Sequence, residues 1–331
     1  MRECAVAFLG FGNVGQALER LIESRREELA RRFGISVRTT GVATRTLGWW
    51  ANADGLMPRS PRSAVRCYDV GDWLLTARAD VVFESIALDP FAGQPALGYL
   101  TEALRAGAHV VSANKGPVVY GYRELTTLAE SRGRLYRFES SVMDGAPVFS
   151  LVRRCVPLAG IRGVHGVFTS TTTVVLEVVE RGGSLEDGIR EAQALGVAEA
   201  DPSYDVDGWD SAVKLSALAT VLLERPLVPG DVRRTGIRLL EPAAVRAACA
   251  EGRPFRLVGR VAIADGGGVS AEVAPVQVAA GDAVAVTGTT LVTHLDAEVF
   301  PGGLTVTSRA PDLVTTAFGM FTDFLEIVGA T

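Results

Sequence analysis

The sequence is poor in several things at once. Its four cysteines (Cys4, Cys67, Cys155, Cys249) are scattered over 331 residues without a CxxC pair, so neither a disulfide framework nor a zinc site is indicated and a reducing cytoplasm is the expected compartment. Histidine occurs only at His109, His165 and His294, far apart, and no chemistry is placed on these residues. Positive charge is not in excess: a formal net charge of -5 with 21% charged residues gives no field to draw nucleic acid or an anionic membrane, and neither is expected as a partner. Long hydrophobic runs are missing too. The opening MRECAVAFLGFGNVG is broken by Gly10, Gly12 and Asn13, far short of the ~20 residues of a membrane span, and no small-residue cleavage site follows it.

What is present is 48% hydrophobic residues in a chain too long for one ordinary core, since single cores stop growing near ~250 residues; two domains are expected. Residues 4–9, CAVAFL, form an apolar run without alternation, as a strand buried on both faces would. A helix follows with Val14, Ala17, Leu18, Leu21 and Ile22 on one stripe. Strand-like runs at 37–44, 80–86 and 109–113 alternate with helical stretches at 95–106 and 121–131, the pattern of a parallel sheet wound on both sides. Beyond residue 138 the order changes. Helices near 184–195 (Ser184 as N-cap, Gly196 at the close) and 208–224 precede strand-like stretches at 255–263, 269–277, 283–292 and 303–308, which should pair antiparallel. TTAFGMFTDFLEIV near the end reads as a helix that packs back on the first domain.

Gly10-Phe11-Gly12-Asn13-Val14-Gly15 matches GxGxxG. Because it ends a buried strand and opens an amphipathic helix, its glycines allow the tight turn and close backbone approach that seat a pyrophosphate at a helix N-terminus. A doubly wound sheet of Rossmann type is therefore expected over 1–137, joined by the helix of 312–331. An α+β domain with a mainly antiparallel sheet is expected over 138–311. The second strand ends Thr44-Arg45-Thr46, without the acid that grips a ribose 2′-hydroxyl. Thr44 can donate to a 2′-phosphate and Arg45 can pair with it, so the reading leans to NADP; a surface arginine with either cofactor bound stays open.

Three stretches in order carry a resemblance: the opening run, Ser112-Ala113-Asn114-Lys115-Gly116-Pro117, and Glu139-Ser140-Ser141-Val142-Met143-Asp144-Gly145-Ala146-Pro147. Together with the acidic EADPSYDVDGWDSAVK of 199–214, the chain resembles homoserine dehydrogenase, the NAD(P)-dependent enzyme that interconverts aspartate 4-semialdehyde and homoserine. The resemblance runs from residue 4 to about 224 and returns at Thr316-Ala317-Phe318-Gly319. It implies that Lys115 and Lys214 flank the reacting carbonyl, that Glu199 and Asp210 hold the substrate, and that a loop from Glu139 to Ala146 binds Na+ or K+ mostly through backbone carbonyls, with Val142, Asp144 and Ala146 at matching positions. Ser85 and Gly319 are counted with Gly10, Gly12, Asn13, Val14, Gly15, Thr44, Arg45 and Lys115 as cofactor contacts. Asp205, Thr171 and Thr172 join the substrate set. The resemblance also makes the α+β domain over 138–311 the substrate and dimerisation domain, with a homodimer formed by sheet pairing.

The residues support this on their own terms. Asp210 and Lys214 are spaced i, i+4 on one helix face, and burial would lower the lysine pKa from ~10.4 while Asp210 opposes that shift. A lysine ammonium can give a proton to an aldehyde oxygen and take it back. One departure bears on substrate: Thr169-Ser170-Thr171-Thr172-Thr173 stands where the family usually has Asn-Gly-Thr-Thr-Asn. The same chemistry on a related amino or hydroxy aldehyde is thus the second reading, and a non-catalytic NADP-binding paralogue the third. The glycine-rich approach to the last helix is replaced by Ser308-Arg309-Ala310-Pro311-Asp312. With the chain stopping at Thr331, a threonine-sensing regulatory domain is not expected.

Overall fold

The computed structural model describes residues 1–331 other than 62, 265 and 331; Thr331, the end of the helix expected over 312–331, lies outside the described residues. The chain divides into two compact units, Met1–Gly145 with Asp312–Thr331, and Ala146–Pro311. Residues 138–145, given to the second domain in the sequence reading, sit in the first unit.

The first unit contains strands β1 (Arg2–Leu9), β2 (Ile35–Thr44), β3 (Gly48–Ala51), β4 (Val65–Cys67), β5 (Val81–Glu84), β6 (His109–Ser112) and β7 (Tyr136–Arg137), with helices α1 (Asn13–Ser24), α2 (Arg26–Phe33), α3 (Val70–Ala77), α4 (Ala96–Arg105) and α5 (Lys115–Ser131). The sheet order is β4-β3-β2-β1-β5-β6-β7. β1 pairs in parallel with β2 on one side and β5 on the other, so the direction of winding reverses at β1, and ligands of such sheets bind at the carboxyl ends of the strands beside that point. The expected parallel sheet is correct through β7, but β3 and β4 add an antiparallel edge. Trp49 and Trp50 belong to that edge. Trp49 lies edge-on to Trp73 and Tyr99, with ring centroids 5.6 and 5.2 Å away. α5 begins at Lys115, six residues before the stretch read as helical from the sequence: Pro117 and two glycines weaken the apolar period, yet proline is tolerated in a first turn, where its N–H would have no partner.

His109 opens β6 and is buried. Its Nδ1 accepts from the Leu135 N–H at 3.0 Å, and the Arg134 guanidinium lies 3.4 Å from Nε2. Burial first and Arg134 second push its pKa down from 6.5 to about 4. The unfolded chain therefore binds the proton more readily between those values, so stability is complete above pH 6.5 and falls as pH drops towards 4. Urea unfolding should show His109→Gln losing about 2 kcal/mol less than the parent between pH 7 and pH 5; equal losses would refute this.

The second unit contains α6 (Val148–Ser150), β8 (Ile161–Val167), α7 (Ser170–Glu180), α8 (Leu185–Ala194), α9 (Ser203–Val206), α10 (Trp209–Leu222), β9 (Arg233–Arg234), α11 (Pro242–Ala250), β10 (Phe255–Ile263), β11 (Val269–Gln277), β12 (Leu291–Ala297) and β13 (Phe300–Ser308). Its sheet runs β13-β12-β8-β10-β11-β9, antiparallel except between β11 and β9. α8 has the expected cap: Ser184 and Asp187 form a reciprocal capping box. Two expectations fail here. Residues 283–292 are not a strand until Leu291; turns over 279–290 fold Val284 and Val286 onto Val167, Val258, Val278 and Val292, so their apolar character is satisfied by burial in a small valine cluster rather than by a ladder. β8, unread in the sequence because of Gly163 and Gly166, lies within the sheet, and its glycine is needed: a Cβ at Gly166 or Gly259 would stand 2.8 Å from the Phe168 ring.

After Pro311 the chain returns to the first unit as α12 (Leu313–Ala330). Ala317, Met320, Phe321, Phe324 and Ile327 join Phe8, Leu18, Ile22 and Phe83 in one core, with the Phe83 and Phe324 rings 5.6 Å apart. Among the described residues no helix is long and apolar enough to cross a membrane.

Candidate functional site

In the first unit the glycine turn is built by exclusion of side chains. Gly10 has φ +92, and a Cβ there would stand 2.7 Å from the Ser85 carbonyl; one at Gly15 would stand 2.8 Å from the Gly10 carbonyl. At Gly12 a Cβ would meet nothing within 4 Å, so this position opens onto free space. α1 starts there with no side-chain cap and no acid in its first turn, leaving its first N–H groups and its positive end for an anion. Asn13 and Val14 begin this helix. Ser85 joins the same turn through its Oγ, 3.3 Å from the Gly10 carbonyl. These residues fit a dinucleotide's pyrophosphate: the anion has donors, and the one open glycine leaves room for it.

Thr44 and Arg45 lie where β2 turns into β3. The Thr44 Oγ1 accepts from Leu47 N at 2.9 Å, which fixes the hairpin, and Arg45 is exposed. Sequence reading missed a second guanidinium: Arg66 of β4, exposed, has its Nε 3.9 Å from where a Cβ of Gly48 would stand. Only the pairing of Trp50 with Arg66 across β3 and β4 brings it there, and 18 residues of chain separate the two positions. Lys115 is the first residue of α5, half-buried, and Asn114 caps that helix by accepting from Gly116 N at 3.0 Å.

Gly319 has a packing reason of its own. A Cβ there would collide with Gly145 Cα and Ser140 Oγ, so the glycine lets α12 close on the 140–145 turn. Glu139, just before that turn, and Val142 within it are both buried, and Asp144 has φ 48; Ala146 begins the second unit. Glu139 N donates to Asp323 Oδ2 at 2.8 Å. Among the described residues no group of three or more His, Cys, Asp or Glu side chains is placed to hold a metal ion.

In the second unit the acidic stretch separates into parts. Gly208, with φ 81, ends α9 and starts α10, placing Asp210 in the first turn and Lys214 one turn on. Lys214 is only 7% exposed. Its Nζ donates to the Phe168 carbonyl at 2.6 Å and lies 3.0 Å from Asp210 Oδ2. Burial that would penalise an ammonium in apolar surroundings is met here by a carboxylate and a carbonyl. The end of β8 thus supplies an acceptor to Lys214, and the next residues supply donors to Asp205: Thr169 Oγ1 stands 3.4 Å from Asp205 Oδ1, and Thr171 Oγ1 2.9 Å from Oδ2 and 2.6 Å from the Val197 carbonyl. Lys214, Asp210, Asp205 and Thr171 therefore gather at the β8–α7 junction. Thr172 does not share this arrangement; it is fully buried and its hydroxyl returns to the Thr169 carbonyl at 3.3 Å. Glu199 is exposed in the loop after α8, its carbonyl accepting from Gln193 at 3.0 Å. Asp207 pairs with Arg238 at 2.6 Å, and the Asp201 carboxyl, accepting from Ser203, is held below the ordinary aspartate range; both shape the loop.

The amino-acid composition itself marks two of these residues. Of 33 basic residues, 31 are arginine, and the two lysines are Lys115 and Lys214. A solvated cation can be either residue. Where a compact ammonium able to lose its proton is required, guanidinium cannot serve.

Comparison with known proteins bears on the whole chain. The family model for the homoserine dehydrogenase NAD binding domain matches residues 10–139, and that for homoserine dehydrogenase matches residues 147–325. An NAD(+)-dependent homoserine dehydrogenase of Pseudomonas canavaninivorans is 31% identical over 99% of this chain and 97% of its own length. Among solved structures, a homoserine dehydrogenase from Thiobacillus denitrificans superposes with a TM-score of 0.85 at 26% identity, covering 99% of this chain and 74% of that one. A hyperthermophilic archaeal homoserine dehydrogenase mutant in complex with NADPH gives 0.82 at 25% identity, covering 100% and 99%.

Proposed function

The chain belongs to the homoserine dehydrogenase family, oxidoreductases acting on a CH–OH group, and from that premise we propose that it interconverts L-aspartate 4-semialdehyde and L-homoserine with Lys214 as the proton carrier. The observation that carries this reading is the buried Lys214 ammonium, oriented by the Phe168 carbonyl and Asp210. The turn of Gly10, Gly12 and Gly15 and the start of α1 would hold the nicotinamide dinucleotide by its pyrophosphate, and the hydride chemistry would be supplied by its nicotinamide. In the reducing direction Lys214 gives a proton to the aldehyde oxygen; in the oxidising direction it takes one from the hydroxyl. Asp210 keeps the ammonium aligned. Asp205, oriented by Thr169 and Thr171, offers a carboxylate to the substrate's own ammonium, and Glu199 from the exposed loop is a second candidate for it. Lys115, at the start of α5, assists at the carbonyl. The turn with buried Glu139 and Asp323 suits a monovalent cation, held through Val142, Asp144 and Ala146.

The absence of an acid after β2, with Arg45 in the hairpin turn and Arg66 beside Gly48, favours a 2′-phosphate and hence NADP. The Pseudomonas relative is NAD(+)-dependent and the archaeal one carries NADPH, so both nucleotides belong in the assay. Purified protein should form NADPH from L-homoserine faster than from related hydroxy amino acids. A single charge-assisted contact is worth ~1.5–3 kcal/mol, so Arg45→Ala with Arg66→Ala should raise KM for NADP+ at least about tenfold while leaving KM for NAD+ near the parent value. Turnover of another hydroxy amino acid but not homoserine would shift the reading to the related-aldehyde alternative, which Thr169 and Ser170 motivate. Nucleotide binding with no turnover would leave a non-catalytic paralogue.

A further inference from the structure

Glu84, the last residue of β5, is 0% exposed and has no place in the chemistry described above. Its oxygens face three hydrogen-bonding groups. Oε2 lies 2.5 Å from Ser112 Oγ, and Oε1 accepts from Ile86 N at 2.8 Å and from Asn114 Nδ2 at 3.3 Å. Ser112 Oγ in turn accepts from Asn114 N at 3.0 Å. The consequence falls on Asn114. An asparagine amide has one donor end and one acceptor end; with Nδ2 turned towards Glu84, Oδ1 must face the other way, and there it accepts from Gly116 N at 3.0 Å. That bond caps α5, whose first residue is Lys115. Behind the cap the backbone is packed tightly, since a Cβ on Gly116 would stand 2.8 Å from Gly93 Cα. On its other side Glu84 holds Ile86, the residue after Ser85, whose hydroxyl reaches the Gly10 carbonyl.

We propose that Glu84 is a positioning residue: by holding the Asn114 amide in the orientation that caps α5, it fixes the direction in which Lys115 leaves that helix, and it ties this helix start to the Ser85 loop. The proposal rests on the reading of Lys115 as part of the active site. A buried group with a merely structural role would hold up stability without selecting one lysine. Glu84 instead acts through a chain of named bonds that ends one residue from Lys115.

The informative variants are Glu84→Gln, which can keep an acceptor for Ile86 and Asn114 while its amide donates to Ser112, and Glu84→Met, similar in length without an acceptor. Burial pushes the Glu84 carboxyl above the ordinary glutamate range against the pull of its three hydrogen bonds, so the neutral glutamine is a close substitute. Because the chain has only two lysines, reductive methylation followed by peptide mass spectrometry reads each of them separately. Glu84→Met should lower kcat by about tenfold to a hundredfold, the range expected when a positioned group is displaced, with KM for the nucleotide within about twofold of the parent. It should also shift the methylation rate at Lys115 and leave that at Lys214 unchanged, while Glu84→Gln restores both readouts. If Glu84→Met does not fold, Asn114→Ser keeps a helix cap but loses the donor to Glu84, and the same selective change at Lys115 is expected of it. Parent-like kcat and Lys115 labelling in the acceptor-less variant overturn the proposal. Lys115→Ala separates it from its premise: a fully active Lys115→Ala enzyme refutes the role of Lys115, whereas an inactive one beside an unaffected Glu84→Met refutes Glu84 alone.

Discussion

Lys214→Ala should reduce kcat with L-homoserine by about 10²- to 10⁴-fold, the range associated with a positioned general acid or base, while the protein still binds nucleotide. The expectation rests on position as well as chemistry. The ammonium is buried, it meets the Phe168 carbonyl at 2.6 Å and Asp210 at 3.0 Å, and nearly every residue of α10 around it is buried too. Lysine is not needed there for solubility. Lys214→Arg should fail almost as badly: it keeps the charge, but a guanidinium does not give up its proton near neutral pH, and its planar fork does not match one carbonyl and one carboxylate set for an ammonium. Steady-state rates in both directions, with circular dichroism to verify folding, decide the matter. Most of the activity surviving in Lys214→Ala would move the proton to Lys115 or to water. Full activity in Lys214→Arg would show that only charge is needed.

The parts of the fold that the sequence revealed are those where one local rule governs. β1 is a run buried on both faces and α1 a single apolar stripe, so the glycine turn between them could be placed to the residue. The capping box at Ser184 was legible because cap and partner are three residues apart. What stayed hidden depends on residues distant in the chain. β8 holds two glycines that look like loop until Phe168 is seen to need the space at Gly166, and Asp296 the space at Gly163. The alternating valines of 283–292 carry the period of a strand, but burial against Val167 and Val258 satisfies them without one. In the site, Asp210 and Lys214 were legible as an i, i+4 pair, whereas the Phe168 carbonyl that completes the ammonium's setting is 46 residues away. Arg66 came to the β2–β3 hairpin only through strand pairing. The scarcity of lysine needed no structure at all, only a count.

Arg256 is the strongest case of a residue whose weight the sequence did not show, and Arg256→Ala should cost about 3–5 kcal/mol of unfolding free energy, as removal of one partner from a buried ion pair does. In the strand FRLVGRVAI it reads as an ordinary polar position, yet it is 2% exposed. Its Nη1 lies 2.8 Å from Glu180 Oε1 and its Nη2 3.7 Å from Glu177 Oε1, while Nε donates to the Val286 carbonyl at 2.6 Å. One guanidinium thereby joins β10, the last turn of α7 and the segment over 279–290, and Gly288 N closes the group by donating to Glu177 at 2.9 Å. Alanine would leave two poorly solvated carboxylates and a carbonyl without their cation. That loss is a large share of the ~5–15 kcal/mol by which a domain is stable, and urea denaturation should show it as a lower midpoint with an unchanged slope. The cause can be separated from simple loss of packing. Arg256→Met combined with Glu177→Gln and Glu180→Gln removes the charges together and should cost far less than Arg256→Ala, because well-packed neutral replacements of buried ion pairs are often tolerated. If Arg256→Ala costs under about 1 kcal/mol, the value of an exposed pair, the buried network does not hold α7 to the sheet.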